Sequence, residues 1–553
     1  MSKSWRNFAI ALFAAALIFS GTAGEKLLAL TDESEAQFQL YTEMLHLAHA
    51  SYGAEVPYKN LVYASIQGML RTLDPHTNFL TPEAYDNMRE RQQGSFYGLG
   101  ILVSKRSGDL TVISPIEGTP AWRLGLRAGD IISTIEGEPT STMTLDEAVR
   151  KLKGPKGTQV NIHISRRSLE TPLAFSITRA EIPQNTVRYA YMMTPETGYI
   201  RLTDFSRSTT REIKDALEKL EGEGMKQLLL DLRSNGGGLL DQTVEVSKYF
   251  VPSRSKIVET RGRLRDSHQS FLSNDSDEML DLPLVVLVNN GTASAAEILA
   301  GAIQDHDVGL VAGVPTWGKG LVQTVYNLSY GTGIALTTAK YYTPAGRLIQ
   351  RDYSSYYDYY NNFDDGEEDK PEVSIDSPEY ETDLGRKVYG GGGITPDEIV
   401  ELPEGPIELQ PLFAKNAFFE FAVGYEERQE IVDANWQPPA EILDAFREWL
   451  LTEELFNDEE LDEMLAEDDA QAFAKRQIHS DIFTAAFGTE AAHKVLAAGD
   501  LQIQEALELF EAARDLLEMR HQLRGIPNQK LTEARDAPKM QGQTDPLEGT
   551  ERP

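Results

Sequence analysis

LPLVVLVNNGTASAAEILAGAI, residues Leu282 to Ile303, changes character halfway. An apolar run ends at Asn289-Asn290-Gly291, and a helical pattern opens at Ala293 or Ser294. The first part reads as a strand and the second as a helix. Ser294 therefore falls at a strand-to-helix junction, where free N–H groups and the positive end of the helix dipole collect. Such donors suit a developing oxyanion. On this stretch alone, a simple N-cap role for Ser294 or Thr292 is the favoured reading.

The same alternation extends outward from this point. GYIRLTDF, KQLLLDLR and VGLVAG are apolar runs bounded by turn residues, and TTREIKDALEKLEGEG reads as a helix between two of them. Strand-helix alternation predicts a layered α/β domain, placed here at residues 181–404. Upstream, residues 85–180 change to short strands and turns, as in YGLGILVSK, DLTVISPI and TQVNIHISRR. LDEAVRKLK reads as a helix, with Thr144 as N-cap and Glu147 at the capping-box position. Residues 24–84 have apolar spacing that predicts helices. Residues 405–530 predict acidic amphipathic helices, followed by a disordered tail over 531–553. A Tyr/Asp-rich segment, residues 352–385, predicts a mobile acidic insert.

Among the 553 residues the formal net charge is −34. It is unevenly placed, with 34 acidic and 13 basic residues from Glu401 to Pro553 and 12 acidic residues against one lysine from Asp352 to Asp383. The rest is near neutral. A charge of this sign argues against nucleic acid as a partner, because that backbone is held by Lys and Arg. The chain has no cysteine, which removes disulfides, thiol nucleophiles and thiolate metal sites. Lys3 and Arg6, an apolar run from Phe8 to Phe19 and small residues to Ala23 predict a signal peptide over 1–23. The run is too short for a comfortable span of ~20 residues, and no later segment could cross a bilayer. Export is therefore expected, to a periplasm first of all. An uncleaved leader would instead hold the protein at a membrane.

Chemistry is concentrated in three loops. GVPTWGKGLVQ, Gly313 to Gln323, nearly matches a phosphate loop, but Gly320 replaces the magnesium-binding hydroxyl and a strand-like pattern follows Lys319. A lone Lys on a turn can instead serve as general base to a nearby Ser once burial lowers its pKa from ~10.4. DLRSNGGG, Asp231 to Gly238, offers consecutive glycines that let backbone N–H groups approach a substrate.

Taken together, NGTASAAE, TWGKGLVQ and DLRSNGGG resemble the C-terminal processing peptidases, or tail-specific proteases. LDPHTNFLTPE, GYIRLTDFS, TTAKYYTPAGRLIQ and VYGGGGITPD extend that resemblance over roughly residues 35 to 400. It implies a crotonase/ClpP-like layered α/β protease core with an inserted PDZ domain. It further implies that Ser294 is the nucleophile, Lys319 its base and Gln323 an orienting residue. The N–H groups of Ala295 and Gly237 would form the oxyanion hole. YGLGI, Tyr97-Gly98-Leu99-Gly100-Ile101, resembles the carboxylate-binding loop of PDZ domains, which captures a peptide C-terminus while the peptide adds a strand. The implied partners are protein substrates held by their C-terminal tails, with no cofactor and no metal. An adaptor, or self-association through N- or C-terminal helices, is left open. Thr292 stands where the family often has Ser, and Trp317 where it often has Phe.

Three competing readings are a noncatalytic PDZ scaffold, a Ser-His-Asp hydrolase using His306, and a metal hydrolase, for which the sequence has no H-E-x-x-H and no clustered ligand set. The second lacks a G-x-S-x-G elbow, and a His at a helix end is expected to be solvated.

Overall fold

A computed structural model describes residues 34–274, 279–354, 359, 378–401, 405–429 and 431–523. The leader expected over 1–23 and the tail expected over 531–553 lie outside these residues, as does most of the acidic insert. The chain divides into two compact units. One comprises residues 1–85 and 323–337, the other residues 86–322 and 338–553.

The described part of the first unit begins with helix α1 over residues 34–51 and α2 over Tyr58–Leu70. The Tyr41 hydroxyl meets Ser65 Oγ across them at 2.6 Å. Next comes a strand that apolar spacing missed, β1 over Asn78–Leu80. The Asp74 carboxylate accepts from the His76 and Thr77 amides, at 2.8 Å each, and this turn delivers the chain into β1. At three residues the strand is too short to show a period of two.

Helix α3, Pro82–Gln93, comes next and was also unforeseen because its residues are mostly polar. The domain expected to be PDZ-like follows. Strands β2 (Ser95–Gly98), β3 (Ile101–Arg106), β4 (Asp109–Pro115), β5 (Ile131–Ile135), β6 (Glu138–Pro139), β7 (Gln159–Ser165), β8 (Leu173–Thr178) and β9 (Ala180–Pro183) surround helices α4 (Pro120–Arg123) and α5 (Leu145–Leu152). β2 pairs with β9, and the main sheet runs β3-β4-β5-β7-β8. Val160, Ile162 and Ile164 alternate inward along β7 and are buried. The capping box expected at α5 is present, with Glu147 N donating to Thr144 Oγ1 at 3.2 Å and Thr144 N to Glu147 Oε2 at 2.8 Å.

The layered α/β core is a six-stranded sheet ordered β10 (Val187–Met192), β11 (Thr197–Leu202), β12 (Gln227–Asp231), β15 (Leu284–Val288), β16 (Leu310–Gly313), β21 (Glu398–Ile399). All neighbours are parallel except β10 with β11. Leu228 and Leu230 face one side of β12 and Leu229 the other, and β15 alternates in the same way. Burial on both faces is why these strands read as unbroken apolar runs. Helices α6 (Thr209–Gly222), α7 (Leu240–Ser247) and α8 (Ala295–Asp305) cover the first face. A side sheet joins β13 (Lys256–Gly262) to β14 (Gln269–Leu272) and to the second half of β18 (Gly333–Tyr342), which follows β17 (Leu321–Asn327). In the first unit, the first half of β18 pairs with β1. The end of the acidic insert is ordered, as a hairpin of β19 (Glu379–Glu381) with β20 (Lys387–Tyr389).

The C-terminal extension is helical, as its amphipathic pattern predicts. It comprises α9 (Gln410–Ala414), α10 (Ala417–Gln429), α11 (Ile442–Thr452), α12 (Asp458–Met464), α13 (Asp468–Phe487), α14 (Thr489–Ala497), α15 (Leu501–Glu508) and α16 (Phe510–Leu523). α10, α11 and α13 enclose their own core around Phe418, Phe421, Phe446 and Ile478. α15 and α16 cover the second face of the core sheet, where Ile503, Ala506 and Phe510 pack with Tyr199, Leu229 and Val285. No described helix is long and apolar enough to cross a membrane.

Candidate active site

Ser294 follows β15 and caps α8 with φ 57° and ψ −114°. A non-glycine residue in that region is strained and persists only when its surroundings hold it. Here the holding bonds are visible. Thr292 Oγ1 donates to Leu232 O at 2.9 Å, and Ala293 N donates to Asn235 O at 2.9 Å. The turn before Ser294 is thus tied to the glycine loop that follows β12.

That loop touches the serine itself. A Cβ at position 237 would lie 2.8 Å from both Ala295 N and Ser294 Cβ, so only glycine allows the approach. Ala295 is the first residue of α8, and its N–H has no acceptor within the helix. The Gly237 N–H points elsewhere, donating to Asn235 Oδ1 at 2.9 Å.

Lys319 is fixed to the same place by a residue that the sequence reading did not single out. Glu297 is wholly buried on the first turn of α8. Its Oε2 accepts from Ser294 N at 2.6 Å and Lys319 N at 2.9 Å. Its Oε1 accepts from Gly318 N at 2.7 Å and Thr316 Oγ1 at 2.6 Å. One carboxylate therefore joins the serine turn to the lysine turn. Burial pushes the Glu297 pKa up, and the four hydrogen bonds oppose that rise without cancelling it. The signal that could have found it was its place three residues after Ser294, the capping-box spacing.

Tyr341 on β18 was likewise missed, and nothing local in TTAKYYTPAGRLIQ marks it out. Its buried hydroxyl donates to the Lys319 carbonyl and also bonds the Ser294 side chain. Burial pushes this phenol well above its ordinary pKa.

The glycines of GVPTWGKGLVQ are now explained without phosphate. β17 follows Lys319 where a phosphate loop would need a helix. A Cβ on Gly320 would sit 2.8 Å from Gln350 N, so a Ser or Thr has no room there. Gln323 lies on β17, with Nε2 buried and without a hydrogen-bond partner among the described residues.

His306 is not solvated as expected. It is buried at the far end of α8, with Nδ1 2.9 Å from Asp383 Oδ2 and Nε2 2.7 Å from Lys256 O. Twelve helical residues separate it from Ser294, roughly 18 Å at 1.5 Å per residue. Both ring nitrogens are engaged, so His306 does not serve Ser294.

In the PDZ-like domain, Tyr97 and Gly98 end β2, Leu99 is buried, and Ile101 starts β3. Gly100 has φ +79° and packs against Thr119, where a Cβ would meet the side chain at 2.2 Å. Ala121 N and Ile116 N donate to Leu99 O at 3.0 Å and Gly100 O at 2.9 Å. Both carbonyls thus turn back into the fold.

A PDZ domain joined to an α/β core with a strained, helix-capping serine defines a peptidase class. The Peptidase family S41 model matches residues 196–354, and a PDZ domain model matches residues 111–166. The carboxy-terminal-processing protease of Bartonella bacilliformis is 40% identical over 296 residues, covering 53% of this chain and 68% of that one. The carboxyl-terminal-processing protease of a Synechocystis strain is 38% identical over 378 residues, covering 64% and 87%. Among solved structures, the photosystem II D1 C-terminal processing protease is 32% identical, covering 56% of this chain and 90% of that one at a TM-score of 0.33. The chain belongs to Peptidase family S41, as a serine-type endopeptidase of the carboxy-terminal-processing group.

Proposed function

We propose that this protein cleaves substrates whose C-terminal tails dock on the PDZ loop Tyr97–Ile101, using Ser294 as nucleophile and Lys319 as general base. The observation that carries the reading is the Glu297 carboxylate, which bonds the backbone of both residues at once. In this mechanism neutral Lys319 takes the Ser294 hydroxyl proton as Oγ attacks the scissile carbonyl carbon. The developing oxyanion is met by Ala295 N–H at the start of α8 and by Gly237 N–H, once that donor turns from Asn235 Oδ1. Lys319 then gives its proton to the leaving amine, and water releases the acyl group from Ser294. Gln323 orients Lys319 in the same reading. The core is read as crotonase/ClpP-like, and the protein as exported to the periplasm.

The deciding experiment compares cleavage of an unfolded reporter with an apolar C-terminal tail by wild type, Ser294→Ala and Lys319→Ala. Each variant is expected to lose at least 1,000-fold, in line with removal of a nucleophile or its base. An undiminished rate in either variant would sink the dyad. Fractionation of producing cells checks location, and a cytoplasmic pool of full-length protein would contradict export.

A further inference from the structure

On the second face of the peptidase sheet lies a cavity that the proposed chemistry does not use. Its volume is about 410 Å³. Arg201 and Asp231 bring it to the carboxyl ends of β11 and β12, and Asn289 to the turn after β15. Arg188, Arg201 and Arg233 line the core side, while His493 and Gln502 line the side built by the extension.

The charges of the wall do not balance. Its three guanidinium groups face two carboxylates, Asp231 and Asp500. Asp231 is wholly buried and accepts from Arg201 and, at 2.7 Å, from Arg233 Nη2. Asp500 pairs with Arg233 Nη1 at 2.9 Å. Arg188 makes no ion pair among the described residues, and its guanidinium lies 5.9 Å from the Tyr189 ring. His493 adds no charge, because burial holds its pKa down to about 4. One positive charge, that of the solvent-exposed Arg188, is left unmatched at the cavity.

Local geometry brings Arg188 to Arg201. The β10–β11 register slips between Val187 and Tyr189, so Arg188 is the extra residue of a bulge opposite Arg201 and Leu202. A bulge re-aims its side chain, and here both arginines reach one cavity. Guanidinium forks match planar or tetrahedral oxyanions better than any other side chain does.

We propose that this cavity is a binding site for a small oxyanion, a carboxylate or a phosphate group, held by Arg188 and Arg201. The site is built jointly by the peptidase core and the extension. It also borders the active-site turns. Ser234, on its wall, donates its N–H to Asn289 Oδ1 at 2.7 Å, and Gly291 N reaches the same oxygen at 3.1 Å. Ser234 precedes the Asn235–Gly237 loop, and Gly291 precedes Ser294.

The test is calorimetric titration of the full chain with inorganic phosphate and, separately, with succinate, at constant ionic strength set by chloride. Saturable binding of one or both is expected, and the stronger arm identifies the source of the oxyanion. Arg188→Gln leaves the buried Asp231 pairs intact and is expected to weaken binding at least 10-fold. Arg150→Gln, on the PDZ helix, is expected to leave it unchanged. The ring resonances of His493 should move on titration in the wild type and not in Arg188→Gln. No saturable binding of either anion up to about 10 mM, or equal affinity in wild type and Arg188→Gln, overturns the proposal.

Discussion

At the scale of the residue, Glu297 makes the sharpest prediction. Four donors converge on its two oxygens, and two of them are the amides of Ser294 and Lys319. Glu297→Gln keeps the shape but replaces one acceptor oxygen by an NH₂ group. At least one buried amide then loses its partner, which costs about 1–3 kcal/mol. Cleavage is expected to fall about 10- to 100-fold while the folded spectrum is retained. A wild-type rate in Glu297→Gln would show that this carboxylate does not set the geometry. Ser294, Lys319 and the glycines of DLRSNGGG stood out in the sequence because a serine at a strand-helix junction, a lysine on a glycine turn and a glycine run are each chemically distinctive. Glu297 was not singled out, because an acid in the first turn of a helix ordinarily reads as a cap or a dipole partner. Its bonds to Thr316, Gly318 and Lys319 cross to another segment, where no local spacing records them.

Elements were legible where burial imposed a pattern. β12 and β15 showed as apolar runs because both faces are covered, and α5 showed its capping box. β1 and α3 gave no such signal, the one being too short and the other too polar. Which element covers the second sheet face was also hidden, since the acidic helices showed an apolar stripe without naming its target. The answer gives a pH prediction. In the middle of α14, His493 stacks on Tyr189 at 4.1 Å and lies 5.5 Å from the Tyr199 ring. Its Nδ1 is 3.2 Å from the Tyr191 hydroxyl, while Asp231, Asp500, Arg201 and Arg233 also act on it. Burial depresses its pKa from 6.5 to about 4. A base depressed in the folded state stabilises it fully above pH 6.5, and that contribution drains away as pH falls toward 4. The difference is roughly 3 kcal/mol at 1.36 kcal/mol per pH unit. Once corrected for the intrinsic exchange rate at each pH, protection of the amides in α15 and α16 is expected to fall between pH 6.5 and 4.5 in wild type, and much less in His493→Gln. An equal loss of protection in both would place the acid sensitivity elsewhere.

At the scale of the molecule, the extension has a second seam, on the PDZ domain, whose electrostatics run the other way. α13 packs against β4, and Arg167 pairs with Glu420 at 2.8 Å. The Arg106 guanidinium lies 4.1 Å from the Phe419 ring centroid, and its Nε is buried without a hydrogen-bond partner among the described residues. Asp481 on α13 faces this arginine, and burial pushes its carboxyl up to about 6, with Gln477 as hydrogen-bond donor at 3.2 Å. An acid raised in the folded state favours folding below its unfolded value of 3.8, and that advantage is lost as pH rises through about 6. Acid is therefore expected to weaken the extension's hold on the peptidase sheet, and alkali its hold on the PDZ sheet. Asp481→Asn removes the buried charge and should stabilise the PDZ seam by about 1–3 kcal/mol at pH 7.5. Near pH 4 it should change little, because the wild-type carboxyl is then protonated in the folded state and so carries no buried charge. The readout is amide exchange in β4, compared between wild type and Asp481→Asn at pH 4 and pH 7.5. Slower exchange in the variant at pH 7.5 alone is the expected result. An equal offset at both pH values would mean that asparagine changes packing rather than charge.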